Sequence, residues 1–160
     1  MDDTDLIAYV SRVHGRTREA AERLTDSLIG WRPAPGEFTA GELVLHIAST
    51  RRMNLMRLRG QPHFYQGHAV APRTVSGDLV GALDSSAEEV ATSLGEMDLS
   101  RPLAIAPMGS GFGWQVVLGG LIEHEVHHRS QLCDYLSAAG IDPPALYGLR
   151  TEELPTRPAG

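Results

Sequence analysis

The chain has 160 residues, 42% of them hydrophobic and 21% charged; this balance suits one globular domain with its own core and excludes a disordered chain. The formal net charge is -6, which argues against a nucleic-acid partner or an anionic membrane surface, since both call for a basic face. A single cysteine, Cys133, allows no intrachain disulfide. The start from Met1 to Asp5 is acidic where a signal peptide would be basic, and no apolar run reaches the ~18 residues of a membrane span. The expected compartment is the cytoplasm.

The first predicted helix runs from about Asp5 to Ile29. Leu6, Val10, Val13, Thr17, Ala20, Leu24 and Leu28 recur at spacings of three and four, which lines one helical face. Gly30 ends it, and the prolines and glycine of Trp31-Arg32-Pro33-Ala34-Pro35-Gly36 mark a loop. The second helix opens on a capping box, Thr39 with Glu42, and continues through His46 to about Arg59, where Gly60 stops it. Residues 61 to 73 read as a loop holding His63 and His68. The third helix runs from about Ser76 to Met97, with Leu79, Leu83, Ala87, Val90, Leu94 and Met97 as its stripe. Residues 98 to 113 connect it onward, with Leu103 to Ala106 as a short extended piece. The fourth helix runs from about Trp114 to Ala139, and Gly140, Pro143 and Pro144 close it. Four amphipathic helices predict an all-α, four-helix bundle over residues 1 to 150, followed by a flexible tail, 151 to 160.

The chemistry sits in the fourth helix. On a regular helix Val117, Leu121, Leu132, Tyr135 and Ala139 define the inward face. His124 and His128 fall within it, His127 lies near its edge, and Glu123, Ser130 and Asp134 point away. Histidines four residues apart can place two imidazoles on one ion. His46, the histidine of the second helix, is the natural third ligand. Three neutral imidazoles leave coordination positions open, the pattern of a catalytic site. Zinc, nickel and iron all suit such a set. His63 or His68 can reach the site from its loop; otherwise they are surface residues. His124-Glu125-Val126-His127-His128 also matches the zinc-protease pattern H-E-x-x-H, which would make Glu125 a general base. Against that reading, the sequence predicts no strand-rich lobe, and the helix continues past His128 without a glycine break.

Several stretches together resemble the DinB/YfiT-like family of metal-dependent helical-bundle proteins. They are Trp31 to Gly36, Gly41-Glu42-Leu43-Val44-Leu45-His46-Ile47-Ala48, His124-Glu125-Val126-His127-His128-Arg129-Ser130-Gln131-Leu132, Tyr135-Leu136, and Gly140 to Pro144. Ser130 departs from the glycine common at that place in the family. The resemblance implies a four-helix bundle, a divalent metal on His46, His124 and His128, and a homodimer. It also implies chemistry with a low-molecular-weight thiol.

The leading expectation is therefore a metal-dependent enzyme on a small-molecule substrate, a thiol-dependent S-transferase. The rivals are a metal-dependent hydrolase of an amide or ester and a non-catalytic metal-binding or stress-response protein. Glu125 is the candidate proton carrier. His127, Arg129, Gln131, His63 and His68 are the candidates for supporting the ligands or meeting substrate.

Overall fold

The computed structural model describes residues 3–105, 109–148 and 153. Within them the chain forms α1 (Asp3–Ala21), α2 (Ala40–Leu58), α3 (Ser76–Gly95), a small hairpin of β1 (Pro102–Ile105) and β2 (Gly109–Phe112), and a long fourth helix, α4. Helix α4 begins with an α-helical turn at Gly113–Val116, widens to π-helix over Val117–Glu123 and returns to α-helix over His124–Ala138. Ala106 and, apart from Glu153, the tail 151–160 lie outside the described residues. No described helix is long and apolar enough to cross a membrane.

Local chemistry sets most boundaries. At the start of α2, the Glu42 amide donates to Thr39 Oγ1 (3.1 Å) and the Thr39 amide donates to Glu42 Oε2 (2.7 Å), the reciprocal box expected from sequence. Helix α1 ends eight residues earlier than Ile29, at Ala21. Thr25 adopts an extended backbone, a single 3₁₀ turn follows at Asp26–Leu28, and the Asp26 carboxylate accepts the Ser76 amide at the head of α3. Residues such as Asp and Thr favour this kind of local bond over a continued helix. The connection after α3 holds two paired strands rather than one extended piece, with Pro102 opposite Phe112 and Ile105 opposite Gly109. The second strand is Gly-Ser-Gly-Phe, whose composition carries little strand signal.

Two apolar clusters reveal the helix directions. Leu6 and Val10 of early α1 share one with Leu55 and Leu58 of late α2, Leu94 of late α3 and Leu121 of early α4. Ala20 of late α1 shares the other with Leu43 of early α2, Leu79 of early α3 and Leu136 of late α4. Helices α1 and α4 therefore run one way, and α2 and α3 the other. Helix α3 packs between α1 and α2, and α4 packs against both from the opposite side, so α1 and α2 stand diagonally. Because α2 and α3 are parallel, the chain must travel back along the bundle between them. Residues 59–75 make that return.

Between the two apolar clusters lies a buried polar layer. It contains His14 and Thr17 of α1, Arg51 of α2, Ser86 of α3, and Glu125 and Arg129 of α4. Arg51 grips Glu125 with two bonds, Nε to Oε2 at 2.8 Å and Nη2 to Oε1 at 2.6 Å. Its remaining nitrogen, Nη1, donates to the Leu83 carbonyl and to Ser86 Oγ. His14 Nε2 stands 3.3 Å from Glu125 Oε2 without the alignment of a hydrogen bond. Burial and the Arg51 charge lower the His14 pKa to about 4, against a smaller pull from Glu125, so His14 is neutral at pH 7.

Removing one partner of a buried ion pair leaves the other charged and stranded. Glu125→Ala is expected to cost about 3–5 kcal/mol of stability. Replacing both residues, with Arg51→Met and Glu125→Leu, should cost less than that single change. Urea denaturation checks both, and a loss in Glu125→Ala under ~1 kcal/mol, the range of an exposed pair, would contradict the assignment.

Candidate metal centre

His46 lies on α2, one turn and a half before Arg51, and His124 and His128 lie on α4, flanking Glu125. The pair that joins Arg51 to Glu125 thus sets α2 against α4 at the height where the three histidines meet. Their Nε2 atoms form a near-equilateral triangle: His46 to His124 3.2 Å, His46 to His128 3.1 Å, His124 to His128 3.2 Å. Among the described residues this is the one group of three or more His, Cys, Asp or Glu side chains whose geometry suits a metal ion.

The donor set fits a divalent cation. His128 Nδ1 lies 2.6 Å from Gln131 Oε1. An amide oxygen only accepts, so Nδ1 carries the proton and Nε2 presents a lone pair to the centre. His46 Nδ1 lies 2.7 Å from the Tyr65 hydroxyl, which lies 2.7 Å from His68 Nδ1. Tyr65 has one proton. If His46 Nδ1 donates to Tyr65, and Tyr65 donates to His68, the His46 Nε2 lone pair also faces inward. Lone pairs converging at this spacing repel unless a cation lies between them. With metal–nitrogen bonds of ~2.0–2.1 Å, the observed separations of 3.1 and 3.2 Å subtend roughly 100° at an ion, between the octahedral and tetrahedral angles. One face of such an ion stays open.

Protonation states agree with ligation. Burial first, then the neighbouring histidines, lower the pKa of His46 and of His124 to about 4. Burial lowers that of His128 as well, partly offset by its bond to Gln131. Phe38 stacks on the His46 ring at 5.1 Å between centroids and meets His68 edge-on at 4.6 Å, so it forms an apolar wall on that side.

The other sequence candidates divide. Gln131 and His68 are at the site. His127 is exposed, its ring 4.9 Å from that of His128 but outside the triangle. His63 shows no contact with the triad among the described residues. Arg129 is buried in the polar layer, where Nη1 donates to the Val13 carbonyl and Nη2 to the Tyr147 hydroxyl. Glu125 also belongs to the core. Its burial raises the carboxyl pKa, but the Arg51 bonds and charge outweigh this and leave it below the usual value. Both oxygens are committed to Arg51, so the placement does not support a general base there. Sequence reasoning missed Tyr65 and Phe38. They come from a loop and from the position before a helix cap, where no periodic signal exists. Gln131, three residues after His128, was legible as a same-face neighbour.

Beside the triangle opens a pocket of about 380 Å³ between α2 and the π-helical part of α4. His46 and His124 form one part of its wall, with Thr50, Met53, Arg57 and Tyr65 on the α2 side. Gly119 and Gly120 contribute the α4 side. The buried Asn54 amide donates to the Gly120 carbonyl at 3.2 Å and to the Thr50 carbonyl at 3.0 Å. A Cβ on Gly120 would overlap the Asn54 carboxamide, so the close approach of the two suits glycine. π-Helical turns are rare and concentrate at functional sites.

Two outcomes are expected. His128→Ala should remove most of the metal bound by purified protein, Gln131→Ala should weaken binding ~10–100-fold, and His127→Ala should leave it intact; equal losses in the His127 and His128 variants, by metal analysis, would refute the triad. The second concerns pH. An unfolded histidine takes up its proton near 6.5, whereas folded His14, His46 and His124 do so only near 4. Protonation in that window favours unfolding, so the metal-free protein should be most stable above pH 6.5 and weaken toward pH 4. A urea midpoint at pH 5 equal to or above that at pH 7 would contradict this.

Comparison with known proteins agrees with the fold. A DinB-like protein from Bacillus subtilis, YjoA, has a similar structure with a TM-score of 0.72 at 21% identity, covering 89% of this chain and 97% of its own. A DinB-like protein from Bacillus cereus gives a TM-score of 0.75 at 19% identity, covering 88% and 94%. YfiT from Bacillus subtilis, described as a probable metal-dependent hydrolase with an unusual four-helix bundle topology, gives 0.68 at 15%, covering 88% and 89%. No protein of curated function matches the sequence. The sequence profile of the DinB superfamily matches residues 9–132, most of the bundle and all three histidines. The chain belongs to the DinB superfamily.

Proposed function

We propose that this protein is a metal-dependent enzyme acting on a small molecule, and that its reaction is an S-transfer from a low-molecular-weight thiol to an electrophile. The observation that carries the reading is the open face of the histidine triangle beside a pocket without a carboxylate among its described lining residues. A divalent cation in the triangle would supply Lewis acidity, lowering the pKa of a thiol that completes its coordination. His46, His124 and His128 would hold it, and Gln131 and Tyr65 keep two of the imidazoles in the ligating tautomer. Met53 and Val116 of the pocket, with Phe38 stacked on His46, would give the reacting sulfur apolar neighbours. An ionised thiol is itself the nucleophile and needs no base in the pocket, which matches Glu125 being locked away on Arg51. Cys133 does not fill this role: it is half-buried on α4, outside the triad, and burial raises its thiol pKa.

A hydrolase is the second reading. The hydrogen-bonded chain from His46 through Tyr65 to His68 favours it, because it offers a path for a proton. The description of YfiT as a probable metal-dependent hydrolase points the same way.

The test loads the protein with cobalt and supplies a thiol and a panel of electrophiles, with esters and amides in parallel. S-transfer predicts a thiolate-to-cobalt charge-transfer band on thiol addition and thiol consumption that His128→Ala abolishes. It also predicts that the band survives Cys133→Ser. Product formed without thiol, lost in Tyr65→Phe, would instead establish the hydrolase. Neither product nor band would mark a metal-binding protein without catalysis.

A further inference from the structure

We propose that the substrate bound beside the triad carries a carboxylate, and that Arg57, helped by Thr50, is the residue that recognises it. This rests on the pocket being the substrate site of the proposed enzyme.

The pocket holds polar groups with capacity to spare. Arg57 lines it, and among the described residues no carboxylate lies within ion-pair distance of its guanidinium. Its Nε is buried with no hydrogen-bond partner, and Nη1 has only a long contact, 3.4 Å, to Asn54 Oδ1. Three other arginines, by contrast, hold carboxylates: Arg51 binds Glu125, Arg52 binds Glu89, and Arg18 binds Asp84 and Glu22. Thr50 repeats the pattern. It is 4% exposed, lines the same pocket, and its Oγ1 has no partner. A threonine within a helix can return its hydroxyl to the carbonyl four residues before, as Thr17 does to Val13; Thr50 does not. Gln115, also lining the pocket, spends its Oε1 on the Phe112 amide and keeps its N–H groups.

A buried donor without a partner costs stability. Arg57 and Thr50 line one cavity with donor capacity unspent and no acid beside them, a lining that suits an acceptor arriving with the ligand once these side chains turn toward it. One guanidinium fork with a hydroxyl and an amide matches a single carboxylate; a phosphate dianion would call for more positive charge. A cation in the triad would add to the same preference for an anion.

Spacing bounds the ligand. His46, Thr50 and Arg57 share one face of α2, Thr50 one turn and Arg57 three turns beyond His46. His46 and Arg57 are separated by ~16 Å of helix rise, and a helical side chain leans back toward the N-terminus, which shortens that gap. The ligand therefore has several bonds between its carboxylate and its reacting end.

The experiment titrates cobalt-loaded protein with ω-mercapto acids, from mercaptoacetate to 6-mercaptohexanoate, and with the matching ω-mercapto amides. The thiolate-to-cobalt band reports binding. The longer acids should bind ~10–100-fold more tightly than their amides, the range of a charge-assisted bond. Arg57→Gln should erase that advantage while ethanethiol binds as before, and Arg57→Lys should restore part of it. Separately, hexanoate, which has no sulfur, should shift the Arg57 Nε–H resonance in the ¹⁵N spectrum of metal-free protein. Equal binding of acids and amides, or an advantage that survives Arg57→Gln, overturns the inference and leaves the thiol reading standing. Absence of any thiol band together with a hexanoate shift at Arg57 overturns the thiol reading and upholds the carboxylate site. An Arg57 resonance unmoved by hexanoate, with no thiol band, overturns both.

Discussion

The buried ion pair between Arg51 and Glu125 ties this bundle to its chemistry. All four helices meet there through polar groups: Arg51 from α2, Glu125 from α4, the Leu83 carbonyl and Ser86 from α3, and His14 beside them from α1. Apolar side chains alone tolerate sliding between helices, because one leucine contact replaces another at small cost. A bidentate pair does not slide, since a shift of one turn would leave two buried charges apart. Glu125 follows His124 directly, and His46 precedes Arg51 by five residues on α2. Holding the pair in register therefore holds three Nε2 atoms within 3.2 Å of one another. Glu125 serves the histidine triangle from behind, by placing its three imidazoles.

Topology supplies the rest of the site. Parallel α2 and α3 force a long return segment, and the same segment carries Tyr65 and His68 across the histidines. Its course is fixed where Ser49 Oγ donates to the Gly67 carbonyl and where Val70 closes over Gly41. On the opposite side, the π-helical stretch of α4 brings Gly119 and Gly120 to the pocket just before His124. Asn54 clasps that stretch through the Gly120 carbonyl, so the wide turn is stabilised by a side chain of α2. Loop and widened turn thus meet on the two sides of one cavity, and both are departures from regular structure.

The two faces of α4 show how little separates a buried core stripe from a half-open histidine edge. Leu121, Glu125, Leu132 and Leu136 are wholly buried, whereas His124 and His128 are only half-buried at the edge of that stripe. Burial suffices to keep the imidazoles neutral, and partial exposure leaves the open side of the triangle toward the pocket. A rotation of α4 that buried the histidines fully would close the site; one that exposed them would raise their proton affinity and weaken ligation.

Amino-acid order alone determined the four helices in outline, the capping box and the three histidines that come together. Each depends on contacts within a few residues: a side chain on its own backbone at Thr39 and Glu42, or imidazoles one turn apart at His124 and His128. His46 was reachable because it is the histidine of α2 and shares a face with apolar neighbours. What depends on residues far apart in the chain was not legible. Glu125 read as a candidate proton carrier and Arg129 as a residue for supporting the ligands or meeting substrate, yet both are buried in the core because Arg51 and the Val13 carbonyl await them. The π-helical stretch carried no signal in the sequence, and the Asn54 amide that bonds the Gly120 carbonyl there lies on another helix. The direction of α2 relative to α3, and with it the placement of Tyr65, Thr50 and Arg57 around one cavity, follows from which apolar halves bury one another. That choice is made by packing the whole bundle at once, so only the tertiary structure decides it.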